Sequence, residues 1–216
     1  DRGENLCFST ASGVGKTAWL ANIILHFLFT RPQSIVPCTA PTERQLHNVL
    51  WAEIRRWMRK SEVLEKIFTW TAEKVYMNSY KEDWFAAAIT ATPKPGSDTV
   101  ESLQGLHAEN MLYLADEASG LPDAVLGALD GCLTNPGARA ILTSNPTRNT
   151  GYFYRILSVP AMAEIWTIFY VDAERLEELP YFSKKSIRRL ELIYGKDSDY
   201  YRMRVNGFPP RTEVNS

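Results

Sequence analysis

The stretch Ser9 to Thr17, STASGVGKT, constrains this chain more than any other. It lies between a short apolar run ending in Leu6, Cys7 and Phe8 and a longer one from Ala18 to Phe29, so the order reads strand, turn, helix. A turn of this kind surrounds phosphate groups with backbone N–H groups and the positive end of the following helix. Ser12, Gly13, Val14, Gly15, Lys16 and Thr17 are therefore candidate nucleotide-binding residues, with Lys16 reaching the β- and γ-phosphates and the Thr17 hydroxyl binding Mg²⁺. ATP or GTP is the expected ligand. The pattern is incomplete at one position: Thr10 stands six residues before Lys16, where the first glycine of such a loop is expected.

A second strand, in Asn110 to Glu117 (NMLYLADE), delivers two adjacent carboxylates at its C-terminal end. Neighbouring side chains diverge along a strand, so Asp116 can serve a metal shell while Glu117 points to where an attacking water sits. The same residues also suit a strand that ends in a solvated acidic turn. A third strand, Ala138 to Thr143, ends in Ser144, Asn145 and Pro146. Asn145 is a candidate sensor of the γ-phosphate, although an Asn-Pro turn capping the strand accounts for it equally.

Composition narrows the remaining possibilities. The 216 residues are 45% apolar, enough for one α/β domain with a small appendage. The Ala18 to Phe29 run, interrupted by Asn22 and His26, is shorter than the about 20 residues a bilayer requires, so no membrane association is expected. Cys7, Cys38 and Cys132 lack metal-ligand spacing and read as buried thiols of a reducing compartment. A net charge of −1 argues against a protein that coats nucleic acid but leaves room for local basic surfaces. Two clusters qualify: Arg55, Arg56, Arg59 and Lys60 around Trp57, and Lys184, Lys185, Arg188 and Arg189 at helical spacing. Each suits contact with DNA phosphates, or a solvated helix face with Trp57 and Leu190 turned inward.

The ordered set ASGVGKT, TAPTERQLHNVLWAEI, LQGLHAENMLYLADEASGLP, LTSNPTRNTGYFY and YGKDSDYYRMRVNGFP resembles the ATPase half of a bacteriophage large terminase subunit over nearly the whole chain. The resemblance implies a motor that hydrolyses ATP to ADP and phosphate, with Mg²⁺ held by Thr17 and Asp116, to drive double-stranded DNA into a procapsid. Lys16, Glu117 and Asn145 are its implied catalytic residues. It further implies other copies of the chain in a ring, a portal protein and a small terminase subunit as partners, and the cytoplasm of the bacterial host as the place of work. The GFP run at Gly207 resembles the family's junction with a nuclease domain, so the chain is expected to be an ATPase fragment without a nuclease site. Many relatives carry an arginine inside the phosphate loop and another before the glycine that precedes the second motif. Here those positions are small or neutral, with Gln104 before Gly105. The arginine finger is therefore unassigned, and Arg148 and Arg139 are the nearest candidates.

The expected fold is a RecA-like P-loop NTPase: a mostly parallel sheet flanked by helices over residues 1–172, then a small, mainly helical lid over 173–216. Within it, Glu43 to Arg59 reads as one long helix with Thr42 as N-cap, Lys74 to Asn78 and Trp84 to Thr90 as added strands, and Thr92 to Ser102 as a mobile loop. Asp123 to Cys132 reads as a helix and Glu164 to Val171 as a late strand. Two other functions fit the same residues: a helicase or translocase unrelated to packaging, and a nucleotide-gated binding module in which Thr10 and the missing finger mark lost hydrolysis.

Overall fold

The computed structural model describes residues 5–91, 103, 105–176 and 183–212. The expected loop at Thr92 to Ser102 and the position of Gln104 lie outside them. Eight strands form the sheet: β1 (Asn5–Thr10), β2 (Ser34–Ala40), β3 (Phe68–Trp70), β4 (Lys74–Met77), β5 (Phe85–Thr90), β6 (Asn110–Asp116), β7 (Ala138–Ser144) and β8 (Trp166–Val171). Their order is β3-β4-β5-β2-β6-β7-β1-β8. β2 pairs in parallel with both β5 and β6, and β1 pairs in parallel with β8 from Asn5↔Trp166 to Thr10↔Val171. Every residue of β2 is buried, as a strand covered on both faces requires. The β3-β4-β5 edge is antiparallel. The physical reason is the connection: Asn78 to Trp84 is too short for the crossover that a parallel neighbour needs.

The chain divides into two compact units, one of residues 17–116 and 121–141, the other of residues 1–16, 117–120 and 142–216. The first unit holds nearly all of helix α1 (Lys16–Thr30), together with α2 (Ala52–Met58), α3 (Glu62–Ile67) and α4 (Asp123–Cys132). α1 buries Leu20, Ala21, Ile24, Leu25 and Leu28. The long helix expected from Glu43 is present but begins as a wide π turn, Gln45–Trp51, before α2. Leu46, Leu50, Ile54 and Met58 are all buried at a spacing of four. An α-helix rotates such a row by about 40° per step, and the under-rotating π turn brings it back to one face. The expected cap forms: Gln45 N donates to Thr42 Oγ1 at 3.1 Å, and Thr42 Oγ1 donates back to Gln45 Oε1 at 2.9 Å. Arg55, Lys60 and Trp57 are engaged locally, with Arg55 over the Trp70 ring, Lys60 over Trp57, and Trp57 Nε1 donating to Glu53 Oε1 at 2.8 Å. Cys7 and Cys38 are buried and Cys132 is half-buried.

The other unit holds β1, β8, the end of β7, α5 (Gly151–Ser158), α6 (Lys184–Tyr194) and α7 (Asp199–Tyr201), which runs into a π turn at Arg202–Asn206. Its C-terminal elements pack on the residues that follow β1. Ala11, Ala173, Ile187, Tyr201 and Val205 form one buried apolar cluster, with Val14 and Leu190 against it. Main-chain bonds reinforce the packing: Ala11 N to Val171 O, Ser12 N to Arg204 O and Ala173 N to Val205 O, each at 2.8 Å.

Buried Tyr201 donates its hydroxyl to Glu174 Oε1 at 2.6 Å. That bond is the main cause of a Glu174 pKa below the ordinary carboxylate value. A depressed carboxylate pKa contributes stability above the unfolded value and loses it as pH falls through the folded one. Tyr201→Phe is therefore expected to cost about 1 kcal/mol at neutral pH, at the low end because Glu174 is partly exposed. In urea titrations the gap from wild type should shrink once the pH falls below the ordinary Glu range. A gap independent of pH would assign the loss to packing alone.

Candidate active site

The loop that leaves β1 turns on two glycines in the left-handed region, Gly13 (φ +75°) and Gly15 (φ +82°). The sequence departure at Thr10 has a plain explanation, since Thr10 does not carry a positive φ. Its hydroxyl instead donates to Ser144 O at 3.3 Å, tying the start of the loop to the end of β7. A glycine is therefore not required there. Lys16 opens α1, and the N-terminal N–H groups and dipole of a helix favour an anion.

Lys16 Nζ donates to Glu117 Oε1 at 2.5 Å, with the two side chains 11% and 31% exposed. The pair joins the first and second sequence motifs across 101 residues of chain. Glu117 sits just past β6 in the left-handed region at φ +52°, uncommon for a glutamate and a form of backbone strain that accumulates at functional positions. Its turn is closed by Gly120 N donating to Glu117 O at 2.9 Å.

Ser144, the last residue of β7, is a hub. Its hydroxyl accepts from Ser119 N at 3.1 Å and lies 2.7 Å from Asn145 O and 3.4 Å from Glu117 Oε2. One hydroxyl proton serves one acceptor at a time, so Ser144 can hand its bond between the backbone and the carboxylate. Asn145, buried, donates from Nδ2 to Thr10 O at 2.5 Å. The third motif is thereby attached to the start of the glycine-containing loop after β1.

The remaining candidates are distributed as follows. Ser12, Gly13, Val14 and Gly15 form the loop, with Val14 on the apolar cluster described above. Thr17 and Asp116 belong to the other compact unit, Thr17 half-buried in the first turn of α1 and Asp116 buried at the end of β6. A hydroxyl and a carboxylate are hard oxygen donors, the kind Mg²⁺ selects. No group of three His, Cys, Asp or Glu residues suited to a metal exists among the described residues. Arg139 Nη1 donates to the carbonyls of Pro136 at 2.7 Å and Ala138 at 2.5 Å, whereas Arg148 is exposed. Lys184, Lys185, Arg188 and Arg189 are exposed on α6, which turns Ile187 inward, and Arg188 pairs with Glu191 at 2.9 Å. No helix of the described residues is long and apolar enough to cross a membrane.

Two residues far away in sequence lie against the loop. Gly207 has φ +71°, and a Cβ there would stand 3.0 Å from Ala11 N, Ser9 O and Thr10 C. Ser9 Oγ donates to Gly207 O at 2.7 Å. Arg204 Nη1 donates to Ser12 Oγ at 3.4 Å. Their sequence signal was a glycine after a helical run and a cation on its last turn, neither of which names a partner almost two hundred residues away.

No family model matches the chain. A curated relative, the probable terminase large subunit of Enterobacteria phage P7, is 28% identical over 215 residues, covering 95% of this chain and 42% of its own length. The chain thus spans less than half of that relative. Among solved structures, the large terminase ATPase domain of Thermus phage P74-26 superposes with a TM-score of 0.66 at 13% identity, over 94% of this chain and 87% of that one. The large terminase of a thermophilic bacteriophage in complex with ADP gives 0.65 at 13% identity, over 95% and 48%. Those structures share the fold found here, a mostly parallel sheet flanked by helices.

Proposed function

We propose that this chain is the ATPase domain of a bacteriophage large terminase subunit and that it hydrolyses ATP to power the translocation of double-stranded DNA into a procapsid. The observation that carries the reading is the Lys16–Glu117 pair at the root of the phosphate loop, with Ser144 and Asn145 linking that root to β7. Before nucleotide binds, Lys16 holds the Glu117 carboxylate. A phosphate chain competes for the ammonium, since charge-assisted bonds to phosphoryl oxygen are strong, and the carboxylate is released to act as a base. Water then bonds to the γ-phosphorus as the bond to the β,γ-bridging oxygen breaks. The electron pair leaves on ADP and the water proton goes to Glu117. Lys16 stabilises the charge on the transferring group. Thr17 and Asp116 would hold Mg²⁺, which when bound neutralises phosphate charge. Asn145, bonded to Thr10 O, couples phosphate loss to movement of the loop.

In the packaging reading the chain works in the host cytoplasm within a ring of its own copies, with portal protein and small terminase subunit as partners. Residues 173–216 act as a lid and as a linker toward a nuclease domain. Arg148, the exposed arginine, is the better candidate than Arg139 for a finger inserted into a neighbouring copy. The test is steady-state ATP hydrolysis over a wide range of protein concentration, with and without linear duplex DNA, using Lys16→Ala as blank. Specific activity that rises with concentration and DNA and vanishes in the blank is expected. Activity at blank level despite nucleotide binding would favour the gated binding module, and separation of short duplexes would favour a helicase.

The α6 cations supply a second measurement. Replacing Lys184 and Lys185 by alanine is expected to lower the slope of log affinity for duplex DNA against log salt by about 2, near one unit for each lost phosphate contact. The DNA-independent rate should be unchanged. An unaltered slope would leave α6 as a solvated face.

A further inference from the structure

Lys16 is the cation within the phosphate loop, and in this structure its ammonium is bound to Glu117. A second cation reaches the loop from the C-terminal π turn. Arg204 is partly buried, its Nη1 lies 3.4 Å from the Ser12 hydroxyl, and its main-chain carbonyl accepts from Ser12 N at 2.8 Å. The guanidinium carbon stands 5.9 Å from the centroid of the Tyr200 ring. Among the described residues no carboxylate is paired with it. Its Nε is buried and finds no hydrogen-bond acceptor. A buried donor left unmatched on a permanent cation is costly, and native proteins rarely keep one without a use. The long bond to a neutral hydroxyl is a weak substitute for the planar, bidentate anion that a guanidinium matches.

We propose that Arg204 is a phosphate-binding residue lent to the loop in cis by the C-terminal segment, moving from the Ser12 hydroxyl onto anionic oxygens of the nucleotide's phosphate chain. The main-chain bond between Ser12 and Arg204 keeps the stem in place, so only the side-chain torsions need change. The proposal rests on the reading of Ser9 to Thr17 as a nucleotide loop. It adds a consequence: the segment that carries Arg204 also carries Gly207 beneath the loop, so the phosphate chain and the C-terminal exit of the domain are bound to the same short stretch.

The experiment is calorimetric titration of the whole chain with a non-hydrolysable ATP analogue and Mg²⁺, alongside thermal melts without ligand, for wild type, Arg204→Ala, Arg204→Gln and Arg204→Lys. The alanine and glutamine variants are expected to bind at least 10-fold more weakly, with ligand-free melting close to wild type and affinity partly restored by lysine. Affinities within 2-fold of wild type would overturn the proposal. So would a loss that follows a lowered melting temperature and is not recovered by lysine, because that marks a structural role. Should the alanine variant fail to fold, the glutamine variant, which retains much of the stem, decides on the same criteria. Failure of the wild type itself to bind the analogue would instead overturn the nucleotide-loop reading, whatever Arg204 does.

Discussion

Glu117→Gln is expected to bind ATP at least as tightly as wild type while turning it over about 10²- to 10⁴-fold more slowly, the range assigned to a positioned general base. The substitution preserves shape and removes only the charge and the ability to take a proton. Two consequences diverge. Loss of the base slows attack by water, which lowers the rate of a single turnover. Replacing the charged partner of Lys16 by a neutral amide weakens its hold on the ammonium relative to phosphate, which favours binding. The left-handed backbone at this position is retained, because glutamine and glutamate differ little there. Rapid-quench measurement of one turnover, with binding measured separately, checks both arms. A variant that hydrolyses at the wild-type rate would remove Glu117 from the chemistry. One that neither binds nor hydrolyses would mean that the Lys16–Glu117 pair builds the loop rather than being displaced by phosphate. Lys16→Ala, by contrast, should lose binding and turnover together.

The second large effect is expected at Gly207, where the consequences are for stability first and nucleotide second. An alanine there meets three backbone atoms at 3.0 Å, on Ser9, Thr10 and Ala11, and none of them is the end of a flexible side chain. It must also hold φ +71°, which costs a Cβ-bearing residue roughly 1 to 2 kcal/mol. Overpacking against backbone typically adds roughly 1 to 3 kcal/mol, so Gly207→Ala should lose about 2 to 5 kcal/mol. Because the displaced atoms are the root of the phosphate loop, ATP affinity should fall in the protein that remains folded. Asparagine separates the causes, since it tolerates the left-handed region but carries the same Cβ. Equal losses for alanine and asparagine in urea titrations would assign the effect to crowding of the loop. Recovery in asparagine would assign it to backbone conformation, and wild-type stability in both would mean that the C-terminal segment does not press on the loop.

Much of the site was legible because its parts are local. The strand-turn-helix order around Lys16 and the carboxylates at the end of β6 follow from a few consecutive residues and their hydrophobic spacing. So does α4, whose observed ends are those expected. The capping reading of Thr42 needed only a residue three positions away. The π turn inside the expected long helix was not legible, because it answers to the surface on which Leu46, Leu50, Ile54 and Met58 are buried together. The antiparallel edge was likewise silent: β4 and β5 have the composition of strands, and their direction is set by how short a chain joins them.

By itself the sequence determined the chemistry on offer in this protein: a loop able to wrap phosphate, a lysine, adjacent acids and a polar strand end, each specified within a handful of neighbours. Only the tertiary structure decided what those groups do to one another. It set Lys16 on Glu117, made Ser144 a hub, let Thr10 stand in place of glycine, and brought Arg204 to Ser12 across 192 residues of chain. Local propensity acts over a few residues, whereas such contacts exist only after burial of the sheet and of the Ala11, Tyr201 and Val205 cluster has met the entropy of closing those long loops.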